Sequence, residues 1–335
     1  MDALLPDIWF FLLGLILFIY VLLDGLALGV GILSLGYRDE DQRSLLLGSI
    51  APVWHAGQTW LIVLAGLLFG AFPLAYGLIF SALYFPILLM LLGLIFRAVS
   101  LEFREEARSP KAWSLACGWG SLLAALAQGL VLGSLLSGLS AAGESFTGSV
   151  WDWLQPFPVL AAGGLVFGYA LLGAAYLVLK TAGDIQRRSF RQARGTAVVA
   201  LPALLILSAA AYFRFPHLQP AWLWVPLLFA AIFVFITAGL LQSLGKRREL
   251  APFLWSAALF LAGFAALAAG LYPHIVPPGV TINGAAAPGL TLKIMLAVMA
   301  PLLPVILVYN AYQHRVFRGK TKGGGYGYEE EGGKG

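Results

Sequence analysis

The chain has 335 residues, 60% of them hydrophobic and only 11% charged, with mean hydropathy +0.86 and a formal net charge of +5. A soluble domain carries about 25% charged residues, so that class is excluded. The positive balance does not indicate nucleic acid either, because the basic residues lie between long apolar runs.

Apolar runs of about 20 residues or more recur from end to end, the length a helix needs to cross a bilayer. A β-barrel would instead show segments of about 10 residues with alternating polarity. The fold class is therefore an all-α polytopic membrane protein. Nine candidate spans follow in order at 8–36, 49–70, 74–100, 113–137, 154–180, 196–213, 221–243, 251–271 and 291–316. They form one integral membrane domain over 1–320. A Gly-rich tail over 321–335, with Glu329, Glu330 and Glu331, is expected to be disordered and solvated. No basic segment precedes the first run, which is expected to remain as an anchor. The one cysteine, Cys117, allows no internal disulfide and suits apolar packing.

With nine spans, alternate loops share a side. All but Arg214 and Lys293 of the 21 Lys and Arg residues then fall on one side, together with the tail. Positive loops face the cytoplasm, so the N-terminus is expected outside and the C-terminus in the cytoplasm.

Ionisable groups at membrane depth are costly and face a protein interior or a water path. Asp24, near the middle of the first span, is one. His55, inside the second, is another, and its imidazole titrates near neutrality. Both are proton-route candidates, with a hydrogen-bonded structural role as the alternative. Gln58 lies one turn from Trp54 and His55. Trp54, Gln58 and Trp60 are candidates for a cavity lining, against plain aromatic packing. Arg97, Glu102 and Arg104 end the third span, where Glu102 can pair with either arginine at the interface. With four histidines and no i, i+4 pair among them, a metal or haem site within this chain is not expected. No nucleotide-binding or hydrolase motif is present.

Several stretches resemble a known family. They are Asp24-Gly25-Leu26-Ala27-Leu28-Gly29-Val30-Gly31, Ala51-Pro52-Val53-Trp54-His55-Ala56-Gly57-Gln58-Thr59-Trp60, and Phe96-Arg97 with Glu102-Phe103-Arg104. Later come Tyr272-Pro273 with Ile275-Val276-Pro277-Pro278, Ala285-Ala286-Ala287-Pro288, and Val316-Phe317-Arg318-Gly319-Lys320. Their order and spacing are similar to subunit II of the cytochrome bd-type quinol oxidases, in the cyanide-insensitive branch. The resemblance spans nearly the whole chain.

It implies the haem-free subunit of a bacterial inner-membrane oxidoreductase that reduces O₂ to water with electrons from quinol. Haem b and haem d would lie in the partner, subunit I, which has a similar helical-bundle fold and forms a heterodimer with subunit II. The resemblance leaves room for small single-span subunits and for a structural quinone or lipid in this chain. Asp24 and His55 would belong to a proton route, and Trp60 would neighbour a gas route. The family usually has an acid where His55 stands, a second acid where Ala27 stands, and a Trp-acid pair near Ile282-Asn283. The rival reading is a proton-coupled secondary transporter using Asp24 and His55, but such folds are commonly built from repeats and the chain shows no convincing one. A purely structural subunit is the third.

Overall fold

The computed structural model describes residues 4–104, 106–219, 224–316 and 319–321. Among them, nine helices are long and apolar enough to cross a membrane. They are α1 (Leu5–Ser34), α3 (Trp54–Ala71), α5 (Tyr84–Phe103), α6 (Pro110–Ser137), α7 (Pro156–Lys180), α8 (Gly183–Arg214), α9 (Trp224–Gly245), α10 (Ala251–Leu271) and α12 (Gly289–Val316). Shorter helices are α2 (Glu40–Ile50), α4 (Pro73–Ala82) and α11 (Ile282–Ala285). Two small hairpins complete the structure: β1 (Ala141–Ala142) with β2 (Ser145–Phe146), and β3 (His274–Val276) with β4 (Val280–Thr281). The tail over 322–335 lies outside the described residues.

Three of the expected boundaries move, each for a local reason. The span at 49–70 divides into α2 and α3, with Ala51, Pro52 and Val53 forming the turn between them. Proline has no N–H to continue a helical ladder. The run at 74–100 also breaks, at Leu83, whose φ −114 and ψ 24 leave the helical region. Pro86 would clash with the carbonyl of Ala82 in a continuous helix, but it is tolerated in the first turn of α5. The third span is therefore α5 alone, preceded by the short apolar α4. The run at 196–213 is the apolar part of a longer helix. α8 begins at Gly183 and carries a charged extension that buries Phe190, Ala193 and Ala197. Hydropathy marks only the lipid-embedded part of such a helix.

α1 is the central element. It packs on α3, α6 and α7, while α5 packs on α6, α7 on α8, and α9 on α10. Small residues set these distances, as expected where helices gain little from hydrophobic burial between them. Gly29 of α1 lies directly against the backbone of Tyr169 in α7, and a Cβ at Gly173 would lie 2.5 Å from the Gly29 carbonyl carbon. Two apolar clusters fill the bundle. One gathers Trp9, Leu13, Ile16, Trp60, Phe72 and Tyr169, and the other gathers Leu26, Trp54, Leu101, Tyr176 and Leu177.

The loops confirm the alternation. On one face Arg104 meets Glu40, Arg188 donates to the Gly36 carbonyl, Arg194 donates to Leu244, Lys320 meets Glu249, and the Thr321 N–H donates to Lys180. Each contact joins two of the basic loops or the tail. At the opposite end the Trp9 indole donates to Leu292 and the Ala287 N–H to Ala71. This face closes α1 against the start of α12.

α9 ends in a turn that usually carries glycine. The Arg248 N–H donates to Ser243 O and the Arg247 N–H to Leu244 O, which satisfies two carbonyls at the helix end. Arg247 adopts φ 51 there, a conformation that costs an ordinary side chain about 1–2 kcal/mol.

Candidate functional site

The buried polar chemistry centres on α1. Arg97 of α5 places Nη1 2.6 Å from Oδ1 of Asp24, with side-chain exposures of 0% and 1%. The exposure values decide the matter: this is an interior ion pair. Arg97 is thus not an interfacial partner of Glu102. It lies about two turns inside the end of α5, too deep to reach water, and its charge is met by Asp24.

The backbone makes room for the pair. A Cβ at Gly57 of α3 would lie 3.0 Å from the Asp24 Cβ, so glycine at 57 lets α3 close over the carboxylate. Asp24 Oδ2 and Arg97 Nε and Nη2 are buried with no hydrogen-bond partner among the described residues.

The polar line continues through the bundle. Tyr20 lies one turn before Asp24 on α1, buried in the same bundle. Gln128 of α6 donates from Nε2 to the Tyr20 hydroxyl at 2.7 Å. The Tyr169 hydroxyl of α7 donates to Gln128 Oε1 at 2.6 Å. Tyr20, Gln128 and Tyr169, from three helices, therefore form one hydrogen-bonded chain that begins one turn of α1 from the Asp24–Arg97 pair.

The other singled-out residues are divided among different surroundings. His55 stands in the first turn of α3, because the turn at Pro52 starts the helix there. It therefore stands at the start of the second span and not inside it. Its Nε2 lies 3.5 Å from Glu102 Oε1, with both side chains more than half exposed. Glu102 thus faces His55 and neither arginine. Arg104 faces α2 instead. Its Nη2 lies 3.1 Å from Glu40 Oε1, its Nε donates to Ser114 Oγ at 2.7 Å, and it also meets Ser44. Arg43 meets Glu40 from the other side at 3.2 Å. Burial works to raise the Glu40 pKa, but hydrogen bonds from Ser114, Arg104 and Arg43 outweigh it and hold the carboxyl below its ordinary value.

The Trp54 ring centre lies 3.7 Å from that of His55, with the planes tilted by 32°, and Gln58 is half-buried one turn on. Trp60 is fully buried, with Nε1 unpartnered among the described residues. Trp54 and Trp60 belong to different apolar clusters, so the three cavity candidates do not converge on one space.

The reading of the sequence missed Tyr20, Gln128 and Tyr169. A signal existed for two of them: Tyr20 sits at i−4 from Asp24, and Gln128 is an amide deep in an apolar run. No group of three His, Cys, Asp or Glu that could hold a metal occurs among the described residues.

A model of the family "Cytochrome bd terminal oxidase subunit II" matches residues 5–317. The chain belongs to this family. Among similar proteins, cytochrome bd-I ubiquinol oxidase subunit 2 of Escherichia coli (strain K12) is 29% identical over 349 residues, covering 91% of this chain and 92% of the relative. Cytochrome bd ubiquinol oxidase subunit 2 of Bacillus subtilis (strain 168) is 26% identical over 329 residues, covering 94% and 96%. The fold also matches a chain of the solved bd oxidase from Geobacillus thermodenitrificans, with TM-score 0.76 and 19% identity, covering 93% of this chain and 98% of that one.

Proposed function

We propose that this chain is the haem-free subunit II of a respiratory quinol:O₂ oxidoreductase in a bacterial inner membrane. The observation that carries the reading is the family match over residues 5–317. The relatives' names supply ubiquinol as the electron donor class. The haems of such a complex belong to a partner, subunit I, with which this chain forms a heterodimer. The N-terminus lies outside and the C-terminus in the cytoplasm, a reading supported by the basic residues gathered on one face.

Within this chain, Asp24 and His55 serve a proton route. His55 and Glu102 are open to water at the basic face. Gly57, two residues from His55, abuts Asp24, and the Tyr20–Gln128–Tyr169 chain begins one turn of α1 from that carboxylate. Arg97 stays charged in a protein, so protonating Asp24 would leave a buried cation unpaired. Transfer at Asp24 therefore requires Arg97 to find another partner, and Arg97 acts as the positioning residue. Trp60, buried on α3, neighbours a route for gas.

The test is co-purification in mild detergent, followed by a reduced-minus-oxidised visible spectrum. Haem bands with a second large membrane chain are the expected result. A folded, colourless chain without a partner would overturn the reading and favour proton-coupled transport. Asp24→Asn/Arg97→Met and His55→Ala complexes should keep their haem spectrum and lose proton uptake. Normal uptake in both would remove the route and leave a structural subunit.

A further inference from the structure

The basic face carries a cavity of about 600 Å³ between the charged extension of α8, the start of α2 and the α9–α10 turn. Its walls include Arg187, Arg191 and Arg194 of α8, at i, i+4 and i+7 on one side of that helix, and Arg247 from the turn. Asp184 and Glu249 are the acids in the lining.

Those acids are already engaged. Asp184 pairs with Arg187, and Glu249 with Lys320 and Gln186. Arg194 donates to the Leu244 carbonyl, and Arg188 lies over the Tyr37 ring while donating to Gly36. Arg191 and Arg247 have no acidic partner among the described residues. Two guanidiniums are thus held in one concavity with their charge unmet. Arg247 is held there in a conformation that ordinarily selects glycine. Guanidiniums bind phosphate oxygens through paired N–H donors.

What lies beside the cavity selects the kind of phosphate. One turn beyond Arg194, α8 presents Val198 and then Leu205 and Ile206 to the outside. α9 also presents Leu241 and Phe235 to the outside, and it packs only sparsely on α8. An apolar seam therefore runs from the rim of a cationic cavity into the membrane. Basic pockets between membrane helices at this interface suit anionic lipid headgroups.

We propose that this cavity binds the phosphate headgroup of an anionic phospholipid, with its acyl chains lying along the α8–α9 seam. The site is independent of electron chemistry and does not rest on the oxidase reading.

The experiment uses the delipidated full complex in detergent, titrated with phosphatidylglycerol or phosphatidylcholine and read by native mass spectrometry. The wild type should bind phosphatidylglycerol more tightly than phosphatidylcholine. An Arg191→Gln/Arg247→Gln complex should lose roughly thirtyfold in phosphatidylglycerol affinity, since each of the two cations contributes on the order of 1 kcal/mol. Arg108→Gln, elsewhere on the same face, should change nothing. Unchanged affinity in the double variant would overturn the proposal. Complete displacement by inorganic phosphate would assign the cavity to a soluble anion and overturn the lipid. Should the double variant not accumulate, the wild type decides: equal affinity for the two lipids overturns the proposal, and preference for phosphatidylglycerol that weakens with salt supports it.

Discussion

α7 and α9 are both apolar helices of one bundle, yet they meet different surroundings. In the most apolar window of α7, 61% of residues are buried inside the chain, against 11% for α9. α1 and α6 stand with α7 at 50%, and α10 and α12 stand with α9 at 11%. All the buried polar side chains of the Asp24 line come from α1, α5, α6 and α7. α9 and α10 carry no charged residue. A polar group facing lipid has no partner, whereas a helix wrapped by other helices can supply one. The buried charge is therefore gathered in the wrapped half, while α9 and α10 hold only uncharged polar side chains such as Thr237, Ser243 and Ser256.

The largest expected effect would break the wrapped half. Arg97→Ala leaves the Asp24 carboxylate buried without its cation, and should cost about 3–5 kcal/mol. Thermal melting of the complex, or its level in membranes, reads this loss. A companion Asp24→Asn/Arg97→Met complex should recover most of it, since removing both charges leaves none unpaired. Equal melting of Arg97→Ala and wild type would sink the interior pair.

Next comes Gly29→Ala, which drives a methyl into the α7 backbone at Tyr169. It should cost on the order of 1–3 kcal/mol through overpacking. Gly263→Ala in α10 is the matched control, because nothing lies within 4 Å of a Cβ there. Comparable losses at both positions would erase the distinction between the two halves.

Gln128→Leu should cost about 1–3 kcal/mol, because it leaves the Tyr20 and Tyr169 hydroxyls without their shared partner. Tyr169→Phe in the same background should then cost little more, since the hydrogen bond is already gone. Double-mutant melting measures that coupling, and simple additivity would mean the line is not one network.

The smallest effect concerns the clamp of α2 on α5 and α6. Because the folded-state pKa of Glu40 lies below its ordinary 4.5, its contribution is complete above that pH. It is lost as pH falls through the folded value. Hydrogen exchange in α2 should therefore accelerate below about pH 4.5 in the wild type, with a flatter profile in Glu40→Gln. Identical profiles would show that the clamp contributes nothing.

The sequence by itself determined the class, the number of long spans, the alternation of basic loops and the family, because these follow from runs of hydropathy, loop charge and ordered motifs. It also marked Asp24 as a costly group. Tertiary structure alone decided what each polar residue faces. Arg97 and Glu102 are five positions apart on one helix, yet one is sealed against Asp24 and the other stands in the open beside His55. Helical phase and depth separate them, and neither can be assigned until the neighbouring helices are in place. The same holds for Gln128, an isolated amide in the sequence and a shared partner of two tyrosines in the fold. It holds again for α8, whose charged first turns look like a loop to hydropathy but form one wall of the basic cavity once α2 and the α9–α10 turn close around them.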